Sequence, residues 1–291
     1  MSAPTSATAP IAASARRWRV PNGYLLAGSL LTGLAIGGSL LGLAWTPYAP
    51  NAVDFLARTA PPSWSHPLGT DNYGRDTLSR VMAGGWRSLS LGFGATTIAL
   101  AISVPLALAS AYWRGALDQA LTRVVDALVS IPLLVFSLLL IVGLGVGHTQ
   151  AILAIGLGAA PRFFRVIRSS ALAVSGREFV LGARARGESA FYIQYGEMLP
   201  NLWAPIIVEA SIFVGFALMG GAALSYLGLG TQPPAADWGV MIRDAQRLIS
   251  QSWWPLVAPS LATAAAIIGF NLFGEGLGDA LQAGVNREHD A

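Results

Sequence analysis

The sequence predicts an all-α polytopic membrane protein with six transmembrane helices and both termini in the cytoplasm. Three observations lead there. Hydrophobic residues make up 54% of the chain and charged ones 11%, against roughly 25% charged in an ordinary soluble domain. Six apolar runs approach the length of about 20 residues that a bilayer crossing needs. The 18 basic residues, all of them arginine, divide unevenly between the two sides that those runs define.

The first run, residues 23–45, follows a small-residue tail (1–22) carrying Arg16, Arg17 and Arg19. It exceeds the roughly 7–15 residues of a signal-peptide core and no A-x-A site follows it, so an uncleaved span behind a disordered tail is expected. Residues 46–85 form an extracytoplasmic segment, 86–281 the main transmembrane domain, and 282–291 a cytoplasmic tail. Within that domain the runs at 90–112, 127–147, 149–170, 205–227 and 255–277 supply the other spans. Pro105 and Pro132 fall inside two of them, which is tolerated where neighbours satisfy the freed carbonyls. The run from Thr149 loses its apolar character at Pro161, where Arg162, Arg165 and Arg168 follow, and by length it also reads as a re-entrant segment. Counted as a span, it leaves Arg58, Arg75, Arg80, Arg87, Arg243 and Arg247 outside and the other twelve of the 18 arginines inside, the positive-inside sign. In the first span, Gly33-x-x-x-Gly37 and Gly38-x-x-x-Gly42 offer close helix contacts, although apolar spans are commonly glycine-rich.

Several function classes are excluded. A P-loop requires a lysine that reaches the phosphates, and this chain has no lysine. There is no cysteine for a disulfide, a zinc–thiolate site or an iron–sulfur cluster. The isoelectric point near 9.6 comes from arginines scattered among apolar runs rather than from a basic face, so it does not indicate nucleic acid.

The charged segment EFVLGARARGESAFYIQYGEMLPN, Glu178 to Asn201, lies inside between two spans. Ser175 followed by Glu178 fits a capping box, Gly187 suits the residue after a helix C-cap, and a second helix is expected from Ser189 to just before Pro200. Phe179, Gly182 and Ala183 share one helix face, which reads equally as a docking face for another protein's groove or as an amphipathic helix in the headgroup layer. On the outer side, HPLGTDNYGRD supplies His66, Gly69, Thr70, Asp71, Gly74, Arg75 and Asp76. A metal set can be assembled from His66, Asp71 and Asp76, but Gly69 and Gly74 mark turns and Asp76 is placed to cap a helix from Thr77.

The inner loop 175–201 resembles the cytoplasmic loop of ATP-binding-cassette importer permeases. Ala183, Gly187, Leu199 and Pro200 stand at that family's signature positions, while Leu181, Gly182 and Glu197 replace others. The wider pattern FVxxARAxG…LPN is similar to the dipeptide, oligopeptide and nickel branch. The His66–Asp76 segment is similar to one in the second, "C"-type permease of that branch. YWRGALDQALTRVVDALVSIP, LSYLGLGTQPPAADWGVMI, and Asn271, Gly274, Glu275, Gly276 and Asp279 match in order. The resemblance implies a type I importer permease fold and a subunit without catalytic residues or cofactors of its own. It implies ATP and magnesium bound by partner ATPase subunits, a homologous second permease, an extracytoplasmic substrate-binding protein, and a peptide substrate, with nickel or another small solute as the alternative. It assigns coupling to the ATPase to Glu178, Phe179, Gly182, Ala183, Arg184, Gly187, Leu199 and Pro200. Many relatives carry an acidic residue where this chain has Gly221.

Ionisable residues within a span suggest function by default. Glu209, near the inner end of the fifth span, is one, though an interfacial hydrogen-bonded position also accounts for it. In the last outer loop Asp237 reads as a docking or structural residue, and Trp238 as a docking contact for a substrate-delivering protein or as an interfacial membrane anchor. A self-contained secondary transporter or channel would need coupling-ion carboxylates at midplane or an inverted repeat, and Glu209 is the one such candidate. An intramembrane hydrolase finds no nucleophile–base pair near His66, His148 or His289.

Overall fold

A computed structural model describes residues 23–289, with side chains through Leu281; the expectations for the 1–22 tail lie outside the described residues. Ten helices follow in order among them. They are α1 (Gly23–Ala44), α2 (Thr77–Trp113), α3 (Gly115–Val129), α4 (Leu133–Leu144), α5 (His148–Ser175), α6 (Glu178–Ala185), α7 (Ala190–Tyr192), α8 (Trp203–Tyr226), α9 (Trp238–Gln246) and α10 (Trp254–His289). Residues 282–289, expected as a tail, extend the last helix. Five helical stretches are long and apolar enough to cross a membrane, and the bent pair α3–α4 makes a possible sixth.

The third span departs from expectation. Instead of one helix over 127–147, the chain breaks between Val129 and Leu133 and turns by 92°. Pro132 has no N–H to continue the ladder and pushes Ile131 out of helical geometry. The remaining α4 has 12 residues, about 18 Å at 1.5 Å per residue and well short of a roughly 30 Å core. By contrast, α5 runs unbroken through Pro161 to Ser175. Its arginines are answered by acids from neighbouring elements: Arg165 Nη2 donates to Asp126 Oδ1 at 2.6 Å, and Arg168 grips both oxygens of Asp118 at 2.6 Å. Hydropathy alone does not show those partners.

Helices α2 and α5 form the most extensive contact of the bundle. Their seam is lined by small residues, with Ala95, Ala99, Ala151 and Ala154 fully buried. A Cβ added at Gly156 would lie 2.9 Å from the Ala95 carbonyl. Ser103 Oγ crosses the seam to donate to Ala160 O at 2.7 Å, a contact type worth roughly 0.6 kcal/mol on average inside a membrane. Helix α8 completes this core, with Phe213 edge-on to Phe163 at a centroid distance of 5.0 Å. A second cluster, including Leu89, Val214, Trp238 and Phe270, joins α2, α8, α9 and α10.

Helix α1 lies against α10 and α2, but not through both expected glycine pairs. Gly33, Gly37 and Gly38 have no neighbour that a Cβ would meet within 4 Å. A Cβ added at Gly28 would fall 2.3 Å from the Phe273 backbone, one at Gly42 2.4 Å from the Met82 backbone, and one at Gly276 on α10 2.6 Å from the Leu25 backbone.

The segment between α1 and α2 is held by the His66–Asp76 motif. Asp76 caps α2 as expected, its Oδ2 accepting from Ser79 N at 2.8 Å, while its Oδ1 lies 2.9 Å from His66 Nδ1. Asp71 accepts from the backbone N–H of Tyr73 and Arg75 and pairs with Arg75 Nε at 2.6 Å. Thr70 Oγ1 ties Ala57 O to Ala60 N. The buried Arg80 reaches down the segment, donating to Pro50 O at 3.1 Å and Asn51 Oδ1 at 3.0 Å. Gly74 has φ +74, and a Cβ there would fall 1.7 Å from Asp54 O.

Two outcomes follow from these contacts. Gly28→Leu should release α1 and lower the thermal midpoint of the detergent-purified protein, whereas Gly33→Leu should leave it within a degree or two. Asp76→Ala removes a helix cap, a change that typically costs about 1 kcal/mol, and should expose residues 46–76 to limited proteolysis while the spans remain protected.

Candidate functional site

The Glu178–Pro200 segment forms a helix, a glycine corner and a second helix. Ser175 is not its cap. It ends α5, with its hydroxyl donating to Leu172 O at 2.9 Å and accepting from Arg114 Nη2 at 3.0 Å, so α6 starts after Arg177 without a side-chain cap. The glycine corner stands as expected: Gly187 has φ +77. Gly187 N donates to Arg184 O at 3.0 Å and Glu188 N to Ala183 O at 3.2 Å, the paired bonds of a Schellman motif.

Beyond the corner, the Ser189 hydroxyl caps the new helix by accepting from Tyr192 N at 3.2 Å. That helix does not stop before Pro200. A π turn over Ile193–Met198 and a 3-10 turn over Leu199–Leu202 carry it directly into α8. Pro200 sits in the first turn of the 3-10 element, where the pitch changes. The turn is thus a continuation with altered pitch, a feature that the proline rule alone does not reveal.

The two faces of α6 are distributed differently from the sequence expectation. Val180 and Ala183 are fully buried against this chain's own core with Ile193, Met198 and Leu202, and Phe179 packs at its edge. Gly182 is half-buried, and Glu178, Arg184 and Gly187 are exposed. Leu199 is partly buried and Pro200 exposed. The outward apolar groups are Leu181, 51% exposed, and Phe191, 72% exposed, with Tyr192 beside it. Hence Ala183 allows α6 to lie close to its own bundle, and Leu181 and Phe191 form the free surface.

Arg184 fastens this corner to the trunk. Its guanidinium lies 4.5 Å from the Tyr112 ring centroid, and Nη2 donates to Tyr112 O at 3.2 Å. Tyr112 is near the end of α2. Arg186 lies 3.7 Å from both Glu188 and Glu197, across the corner. Sequence reasoning named Arg184 without a partner, because a contact 72 residues away leaves no local periodic signal.

The other candidates separate. His66, Gly69, Thr70, Asp71, Gly74, Arg75 and Asp76 come together as the brace described above, with His66 and Asp71 committed to different partners. Asp237 and Trp238 are buried rather than open for docking. Asp237 caps α9 by accepting from Val240 N at 2.7 Å and takes a bond from Ser225 Oγ at 2.6 Å. The Trp238 indole donates to Val81 O at 3.0 Å. Gly221 faces Leu91, whose Cδ2 would lie 2.3 Å from an added Cβ, so a side chain there would require Leu91 to move. Glu209 pairs with Arg162 Nε at 3.1 Å, a partner that the sequence reading missed across 47 positions.

Comparisons with known proteins agree with this architecture. The chain is 36% identical to a probable D,D-dipeptide transport system permease protein of Escherichia coli, over 89% of each chain. It is 33% identical to a di/tripeptide transport system permease protein of Pseudomonas aeruginosa, covering 87% of this chain and 86% of that one. Among solved structures, inward-facing MetNI methionine ABC transporter contains a chain that superposes with a TM-score of 0.55 at 18% identity, covering 69% of this chain and 94% of that one; this is a likeness of fold. Residues 103–287 match the family model described as binding-protein-dependent transport system inner membrane component. The chain belongs to that family and is a multi-pass inner-membrane component of such a transport system.

Proposed function

We propose that this chain is one of two homologous permease subunits of an ATP-driven importer of short peptides, moved by a separate ATPase through the Glu178–Pro200 corner. The observation that carries the reading is the construction of that corner. Its inner face is welded to the ends of α2 and α5 through Val180, Ala183 and Arg184, while Leu181 and Phe191 remain exposed beside it. A push on the outer apolar patch is therefore delivered to the trunk of the bundle instead of being absorbed by a loose loop.

The direction of the push follows from sidedness. The uneven division of the arginines supports a cytoplasmic corner by the positive-inside rule, on the side where nucleotide is available. The peptide substrate is supported by the relatives whose names specify dipeptides and tripeptides. An extracytoplasmic binding protein delivers the peptide to a path between this subunit and its homologue. The chain itself supplies no lysine for a P-loop, so ATP and magnesium belong to the ATPase. ATP can shift the permease between states only to the extent that the ATPase binds it differently in each.

Leu181→Glu and, separately, Gly187→Val should uncouple the complex. The first puts a charge in the docking patch. The second forces a β-branched residue to φ +77, a region that such residues rarely adopt. Peptide uptake by cells or proteoliposomes should fall at least tenfold, with membrane insertion unchanged. Normal uptake by both variants, at normal subunit stoichiometry, would contradict the assignment.

A further inference from the structure

Arg162 lies midway along the 28-residue α5, about 21 Å from its His148 end at 1.5 Å per residue. Even if the roughly 30 Å hydrocarbon core begins at His148, Arg162 is about 9 Å short of its far boundary. Glu209 meets it there from α8. On the surface of this chain the two side chains are 48% and 15% exposed. A charged side chain turned to lipid inside the hydrocarbon core is costly, and such groups face a bundle interior or a water-filled cavity instead. The α5–α8 surface around this pair therefore faces away from lipid.

The pair has capacity to spare. Among the described residues, only Nε of the guanidinium and Oε1 of the carboxylate make a hydrogen bond. The two terminal nitrogens of Arg162 and Oε2 of Glu209 are left open. Phe216 lies alongside, its ring centroid 5.2 Å from the guanidinium, and Met219 is exposed one turn further along α8. A thioether and an aromatic ring accommodate apolar groups of varied shape.

A guanidinium fork suits a carboxylate, which it holds through two parallel N–H donors, and a carboxylate suits an ammonium. A short unblocked peptide carries one of each at its ends. On the peptide reading above, on which this inference rests, we propose that Arg162 and Glu209 are a substrate-terminus site on the wall of the path. Arg162 takes the α-carboxylate and Glu209 the α-ammonium as their own pair opens. The exchange also sets specificity. A zwitterion replaces one ion pair with two, whereas a peptide blocked at both ends would leave two separated charges uncompensated, a costly state in a desolvated site.

The chain contains no cysteine, so Met219→Cys gives a single reporter in this subunit, outside the pair itself. In inverted vesicles holding the whole transporter with cysteine-free partners, its modification by a charged, lipid-insoluble methanethiosulfonate is timed. Dialanine or N-acetyl-dialanine amide is supplied at millimolar concentration without the binding protein, so that the latter's selectivity does not enter. The thiol should react, dialanine should slow the reaction at least fivefold, and the blocked peptide should not. Adding Glu209→Gln should abolish that difference between the two peptides, each rate being compared with the peptide-free rate of the same variant. An unreactive thiol, equal protection by both peptides, or discrimination that survives Glu209→Gln would each overturn the site. Wild-type uptake measured in parallel separates the two levels. A transporter that imports dialanine but fails these tests keeps the peptide function and loses this site, and one that imports no peptide loses both.

Discussion

The close contact between α2 and α5 is the constraint on which the rest of the molecule depends. Lipid tails are as apolar as the helices, so burial of apolar surface does little to hold two spans together. Approach of the backbones does it instead, and that needs small residues on the touching faces. Ala95, Ala99, Ala151, Ala154 and Gly156 provide them, and the Ser103–Ala160 hydrogen bond fixes the register. A bulkier seam would part the helices and loosen everything attached to them.

Both ends of the pair carry further structure. At one end, α2 begins with Asp76, and the bonds from Asp76, Asp71 and Arg80 turn the segment between α1 and α2 into a rigid extension of that helix. At the other end, α2 finishes at Tyr112–Trp113, where Arg184 clamps α6, and α5 finishes at Ser175, where Arg114 joins it. Arg168 and Asp118 add α3 to the same assembly. The Glu178–Pro200 corner is thus joined to two helices of 37 and 28 residues. Halfway down the second stands the Arg162–Glu209 pair.

The sequence made the apolar spans legible, because a bilayer imposes length and composition together. It also made the local devices legible. The Asp76 cap and the Gly187 corner depend on residues within five positions of each other, and both stand where the pattern put them. Proline was less reliable. Pro132 broke a predicted span, whereas Pro161 and Pro200 were accommodated inside helices, because the outcome depends on the turn that surrounds each ring. Faces and long-range partners were not legible. Nothing near Ala183 says that it turns inward while Leu181 turns outward. Nothing near Arg162, Arg168 or Arg184 names Glu209, Asp118 or Tyr112. Trp238 shows the same limit: an indole in an outer loop reads as a docking group until its N–H is found on Val81 O.

On the proposed function, force enters this chain through the Glu178–Pro200 corner from a nucleotide-hydrolysing neighbour. With no native cysteine in the chain, Phe191→Cys can be carried as a photoactivatable maleimide adduct in membranes containing the whole transporter. The account predicts a covalent product with the ATPase subunit, whose yield changes when ATP is trapped by vanadate. A residue that labels only from the outer side of intact cells, or that never joins the ATPase under any nucleotide condition, would contradict it.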